Sequence, residues 1–491
     1  MTDSRDSKSD TERDRIEPGP EQTQRRDFLK GAGLAASGLA AAAVAAPDAA
    51  KAQDASDPLA VKNPYGGRPG SGISLPDYYR PSPYFANNNI FYPGSEILPK
   101  NEMRVTFLGS TPWPPTIRQK GTSIMVELGN GTGNPRRFFF DLGNGSISHA
   151  VALQIPAQLI NDIFISHLHV DHYADLPYFY PFRAQGGGYQ PLRIYGPSGR
   201  TPELGIKHMI KHMREMARWH EENFNSLPTG DGYEMDVTEF DWKDRNGICY
   251  DKDGVKVRHW PRSHVKDGAS AYRLDWEEAG LSFVWTGDGR PDVLSAEYGK
   301  GADLFVSEGT IDTPLISSLK VGAPVEIWEH IIDIYHTMYY ASGYLFQQAQ
   351  PRMAAICHFE WSGDQLAAES IAEIRTHWPG LFMFGFDLKV VNITKDNIWV
   401  RDAVISDDAA PASMDPRWFI PEGAPIPDEI VMPPAKLPRS QQQEQFIRDL
   451  EIDPALYYPR EVYRKPPLDW PGLTLNPKEM LRARGIDPDN L

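Results

Sequence analysis

The stretch Ile163-Phe164-Ile165-Ser166-His167-Leu168-His169-Val170-Asp171-His172 decides how the chain is read. An apolar run of three residues reads as a buried strand, and it ends in a turn that packs three histidines and an aspartate into six positions. On an extended segment His167 and His169 point to one side, so both imidazoles can serve one ion. Asp171 and His172, on the turn beyond, are free to hold a second ion. Neutral imidazole and carboxylate suit zinc and other borderline divalent metals, and a site short of protein ligands leaves room for water.

Working outward, other residues that can bind metal close strand-like runs. Asp141 follows Phe138-Phe139-Phe140, His264 follows Val255–Trp260, Asp288 ends Phe283-Val284-Trp285-Thr286-Gly287-Asp288, and His358 follows Met353–Cys357. Each alone has an ordinary structural reading, but their order after the histidine turn makes coincidence a poor account. The strands, short and separated by turns, predict sheet packed on sheet. Pro202 to Phe224 carries one apolar stripe at helical spacing and predicts a helical insertion, about 201–250. His208 and His212 stand four apart there, beside Lys207 and Lys211, which favours a solvated face. Helical patterns are expected at about 326–350 and 364–377, a hairpin at Val390–Ile393 and Ile398–Arg401, and a mobile loop at Gly186-Gly187-Gly188. Tyr173 to Phe182 reads as an aromatic lid.

These motifs resemble the metallo-β-lactamase superfamily, in the branch shared by transfer-RNA 3′-processing nucleases and exported arylsulfatases. Phe107-Leu108-Gly109-Ser110 and Phe140-Asp141-Leu142-Gly143-Asn144-Gly145 match its opening motif, and the likeness runs from about Met103 to Arg401. It implies an αββα sandwich, here an α/β fold with a helical insertion and Pro-rich extensions at both ends. It also implies two Zn²⁺, with another divalent metal as the alternative. By position, His167, His169 and His264 would hold the first ion, and Asp171, His172 and His358 the second. Asp288 would bridge both, and Asp141 would orient the cluster. Asp303-Leu304-Phe305-Val306-Ser307-Glu308-Gly309-Thr310 and His336-Thr337 resemble the motifs of a glutamate-supported histidine facing the leaving group. Asp171, Glu308 and His336 are therefore the expected catalytic set.

The 491 residues carry a formal charge of −16, with 41% hydrophobic and 24% charged residues. That acidity weighs against nucleic acid and favours a small-molecule ester substrate. The expectation is an arylsulfatase-like hydrolase using a hydroxide held between two metals. A phosphodiesterase or ribonuclease Z-like nuclease, or a lactonase, is the alternative. Gln24-Arg25-Arg26-Asp27-Phe28-Leu29-Lys30 before a weakly apolar run resembles a twin-arginine export signal. This predicts a signal peptide at 1–52, the twin-arginine export machinery as partner, and a periplasmic or secreted product with no stable membrane span. An arm at 53–100, a catalytic domain at 101–405 and a Pro-rich extension at 406–491 complete the expected organisation, and a homodimer is compatible with it. Cys249 and Cys357 are the only cysteines. Cys357, inside an apolar run, reads as a core residue.

Overall fold

The computed structural model describes residues 90–93, 96–132, 134–224, 227, 229–264, 266–311, 324–360 and 364–405, with 448, 454–456, 458 and 462. The expected signal peptide, most of the arm and nearly all of the C-terminal extension lie outside the described residues. Sixteen strands are described. They are β1 (Ile90–Phe91), β2 (Met103–Gly109), β3 (Ser123–Leu128), β4 (Arg136–Phe140), β5 (Asp162–Phe164), β6 (Leu192–Pro197), β7 (Met235–Phe240) and β8 (Gly247–Lys252). The chain continues through β9 (Val255–Pro261), β10 (Ser270–Trp276), β11 (Leu281–Trp285), β12 (Leu304–Ser307), β13 (Met353–Ile356), β14 (Leu381–Phe384), β15 (Lys389–Ile393) and β16 (Ile398–Ala403). The longer helices are α1 (Ser146–Ala152), α2 (Leu176–Gln185), α3 (Ile206–Asn223), α4 (Val293–Tyr298), α5 (Val325–Tyr335), α6 (Tyr339–Ala349) and α7 (Asp364–Arg375).

The strands form a nine-stranded sheet in the order β1-β16-β15-β2-β3-β4-β5-β6-β7 and a seven-stranded sheet in the order β14-β13-β12-β11-β10-β9-β8. Period-two alternation sorts their side chains into layers. Phe138, Phe140, Phe283, Trp285, Leu304 and Val306 share the core between the sheets. Phe139 turns outward with Met125 and Ile163 to meet Leu176, Phe179, Ile206 and Ile210 of α2 and α3. Val284, Phe305 and Ala354 turn outward on the other sheet to meet Tyr339, Leu345 and Phe346 of α6. Both faces of these strands are covered, which is why the sequence shows continuous apolar runs rather than alternation. The order of layers is helix, sheet, sheet, helix.

This layering also aligns the strand ends. β4, β5 and β6 run parallel, as do β11, β12 and β13. β9 is antiparallel to β10 and β10 to β11, so β9 runs the same way as β11. Every metal-binding candidate follows the C-terminal end of one of these parallel strands, where α/β sheets present their ligands.

Several expectations change. The helical stretch is not an insertion into the sandwich: α3 is the crossover between the parallel neighbours β6 and β7, and its Ile206, Ile210 and Met213 are buried in the outer core. Gly186 to Gly188 is packed rather than mobile, because the buried Arg183 guanidinium donates to the carbonyls of Ile160, Gly188 and Gln190. The aromatic lid is helix α2, whose Phe179 and Tyr180 are core residues while Tyr178 and Phe182 are exposed. The helix expected over 326–350 breaks at His336, since Thr310 N–H donates to Thr337 O and Tyr339 N–H to Thr310 O. His208 and His212 are neighbours on α3, and among the described residues no third metal-binding side chain joins them. Cys249 and Cys357 are both buried and unbridged. In the described part of the arm, β1 pairs with β16, and Phe91 lies beneath the guanidinium groups of Arg104 and Arg401. Among the described residues no helix is long and apolar enough to cross a membrane.

Candidate metal centre

The turn after β5 supplies His167, His169, Asp171 and His172, and the ends of β9, β11 and β13 bring His264, Asp288 and His358 to it. The donor atoms of His167, His169 and His264 lie within 4.8 Å of one another, as do those of Asp171, His172 and His358. Asp288 sits between the two groups. Its Oδ2 is 3.1 Å from His358 Nε2, 3.3 Å from His172 Nε2, and 3.9 Å from both His167 Nε2 and His264 Nε2. Four of the other six predicted metal-binding residues thus lie within 4 Å of the Asp288 carboxylate, and His169 and Asp171 complete the two groups on either side of it.

Backbone conformation contributes to this. Gly287 has φ +58°, and a Cβ there would meet Ser166 Cβ at 2.9 Å, so the turn presenting Asp288 against the histidine segment requires glycine. His358 and Asp141 are themselves left-handed, at φ +54° and +60°. Such strain in non-glycine residues persists only where surrounding contacts fix it.

Asp141 is wholly buried and fixes the histidine turn. Its Oδ1 accepts Ser166 N–H at 2.7 Å, and its Oδ2 accepts the Ser166 hydroxyl at 2.8 Å, Trp285 Nε1–H at 2.8 Å and His172 Nδ1–H at 2.9 Å. With its proton on Nδ1, His172 turns the Nε2 lone pair toward Asp171 and Asp288. His264 is set the same way by donating Nδ1–H to Tyr335 O at 2.6 Å. Sequence reasoning reached Asp141 but missed Ser166 and Trp285. Both sit inside the quoted motifs, and Trp285 falls on the inward parity of β11.

The unmet valences in this cluster are specific. His167 Nε2, His172 Nε2 and Asp288 Oδ1 are buried and lack a hydrogen-bond partner. Buried polar atoms are almost always satisfied, and these three face one another with the donor set that divalent zinc-like ions prefer. The residues fit a pair of metal ions. Electrostatics agree: burial drives His167 far below the ordinary imidazole range and His264 down to about 4, leaving neutral lone pairs. Burial also disfavours charge on His358, but the Asp288 carboxylate together with the Asp171 and Glu308 carboxylates outweighs it and lifts His358 to about 10. The field of Asp288 and Asp171 thus stabilises positive charge at the place where cations would sit.

Beside this cluster stand Glu308 and His336. Glu308 Oε2 accepts His336 Nδ1–H at 2.7 Å, and its Oε1 accepts Gly289 N–H. His336 Nδ1 is 4.0 Å from Asp288 Oδ2. Burial opposes charge on His336, yet the adjacent Glu308 raises its pKa above the usual value.

A helix-sheet-sheet-helix sandwich with a His-x-His-x-Asp-His turn and three further ligand-type residues at its strand ends is the metallo-β-lactamase fold. Among curated proteins the chain is similar to ribonuclease BN of Proteus mirabilis, at 28% identity over 232 residues, covering 47% of this chain and 63% of that one. It is also similar to ribonuclease Z of Pyrococcus furiosus, at 26% identity over 283 residues, covering 52% of this chain and 86% of that one. The match to the Proteus mirabilis protein thus leaves more than a third of its length unspanned. No family model matches the chain. Solved structures with a related arrangement include the metallo-β-lactamase fold protein YhfI from Bacillus subtilis, at TM-score 0.43 and 17% identity, covering 61% of this chain and 99% of that one. The short form of human tRNase Z gives TM-score 0.42 and 17% identity, covering 58% of this chain and 98% of that one.

Proposed function

We propose that the chain is a binuclear metal-dependent hydrolase that cleaves phosphodiester bonds. The observation that carries this reading is the gathering of six metal-ligand-type side chains in two groups about the Asp288 carboxylate, with His167 Nε2, His172 Nε2 and Asp288 Oδ1 buried and unsatisfied. The choice of phosphodiester over sulfate ester rests on the relatives, which are named as ribonucleases. Aryl sulfate hydrolysis is the reading favoured on sequence. His167, His169 and His264 would hold one ion, Asp171, His172 and His358 the other, and Asp288 both. Such a pair supplies a water-derived nucleophile at neutral pH and neutralises charge on the attacked phosphoryl group. The protein's own contribution is orientation and proton transfer. Asp141 fixes the tautomer of His172, and Glu308 holds His336 protonated on Nδ1, leaving Nε2 to give a proton to the departing oxygen.

The test is metal analysis of purified protein, followed by rates on a precursor transfer RNA, bis(p-nitrophenyl) phosphate and p-nitrophenyl sulfate. Two ions per chain and phosphodiester turnover exceeding sulfatase turnover are expected. Sulfatase turnover dominating with both ions in place would restore the aryl sulfate reading.

A further inference from the structure

We infer that Arg262 is a positioning residue, which sets the spacing between the His264 side of the metal centre and the shared Asp288 carboxylate. The inference rests on the binuclear reading above. Arg262 lies two residues before His264, and its side chain is fully buried. One arm of the guanidinium, Nη1, is anchored on the Asp292 carboxylate and on Ser295 Oγ at 3.1 Å. The other, Nη2, donates to Gly289 O at 2.7 Å. Gly289 directly follows Asp288, and its N–H is held by Glu308 while its carbonyl also accepts the Thr337 hydroxyl.

The residue after the bridging carboxylate is thus held from both sides, by the elements that carry His264, Glu308 and His336. A second rung, Arg290 N–H to Ser263 O at 2.9 Å, runs alongside. Gly289 adopts φ +150°, and a Cβ there would meet Arg262 Nε at 3.0 Å, so the turn is fitted to the guanidinium. The anchor is itself fixed. Asp292 caps α4 by accepting Ser295 N–H at 2.7 Å, and Trp260 Nε1–H donates to Ser295 Oγ at 3.0 Å. A planar fork can span Asp292 and Gly289 O together, whereas a lysine ammonium is a single point that serves one or the other. Groups that orient metal ligands without touching the ion typically change affinity about 10- to 100-fold when altered.

The test compares wild type with Arg262→Lys, loading metal-free protein with Co²⁺ against a competing chelator and following its visible absorption. Wild type should take up two ions. Arg262→Lys should hold one of them roughly 10-fold or more weakly and show an altered spectrum. With saturating metal, kcat should fall while KM stays near its wild-type value. Asp292→Asn keeps the shape of the helix cap while loosening the guanidinium, and it should shift the spectrum in the same direction. It decides the matter if the lysine variant does not fold. Two ions bound by either folded variant with wild-type affinity and spectrum would overturn the inference while leaving the functional reading intact. A wild-type chain that binds no ion pair would overturn both.

Discussion

Asp141 accepts hydrogen bonds from four buried donors, the Ser166 amide and hydroxyl, His172 and Trp285. Removing the acceptor strands them all, and an unsatisfied buried donor costs about 1–3 kcal/mol. Asp141→Ala should therefore lower the stability of the metal-free protein by roughly 3–5 kcal/mol in denaturant unfolding. An effect below 1 kcal/mol would mean water replaces the carboxylate. Asp387 carries a different residue-scale prediction. It accepts Ser110 Oγ–H at 2.6 Å and Lys120 N–H at 2.7 Å, and burial lifts its pKa from the ordinary 3.8 to about 7. Because the folded pKa lies above the unfolded one, the folded state binds the proton more tightly. The contribution is complete below about pH 4 and is lost as pH rises through about 7. Melting temperature should decline over that window in wild type and decline less in Asp387→Asn. Parallel profiles would show that the carboxyl does not titrate there. At the reaction itself, His336→Ala should keep both ions yet slow esters with poor leaving groups far more than activated nitrophenyl esters, within the roughly 10²–10⁴-fold range of a positioned acid. Parallel plots of log rate against leaving-group pKa would remove His336 from that role.

Among the elements, α6 meets the end of α7 at Gly343, where a Cβ would meet Ile374 O at 2.3 Å. Backbone cannot yield as a flexible side chain does, so Gly343→Ala should cost about 1–3 kcal/mol, read as a lower melting temperature with activity per folded molecule retained. The same scale shows what the sequence discloses. The strand bearing the histidine turn was legible because apolar run and ligand cluster adjoin, and the runs at 138–140, 283–288 and 353–357 were legible for the same reason. The break between α5 and α6 was not. Its cause is a pair of backbone hydrogen bonds to Thr310, which lies 27 residues before Thr337 and leaves no local signal. The aromatic stretch misled because residue type does not tell which side of α2 faces the core: Phe179 and Tyr180 are buried, Tyr178 and Phe182 are not. Likewise nothing in the local sequence marks Arg183 or Arg262, and only tertiary contacts reveal them as buried clamps.

Across the whole molecule, charge and address each carry a prediction. We propose export on the strength of Arg25-Arg26 and the weakly apolar run after it. Changing both arginines to lysine should leave the precursor in the cytoplasm, and normal periplasmic recovery in fractionation would refute it. Net charge gives a separate handle on substrate. At −16 the chain repels a polyanion over the whole approach, whereas a small diester meets chiefly the local field of the metal centre. The Debye length shortens from about 30 Å at 0.01 M to about 8 Å at 0.15 M ionic strength. If RNA is a substrate and overall charge governs its approach, kcat/KM on RNA should rise with salt over this range while that on bis(p-nitrophenyl) phosphate stays nearly flat. A protein that meets RNA through a basic surface shows the opposite slope, because each phosphate contact is weakened by salt. A steep fall in RNA cleavage with added salt would therefore locate binding on a local cationic face, with the Lys207 and Lys211 side of α3 the first to change to alanine, and would show that the net charge is no guide to this substrate.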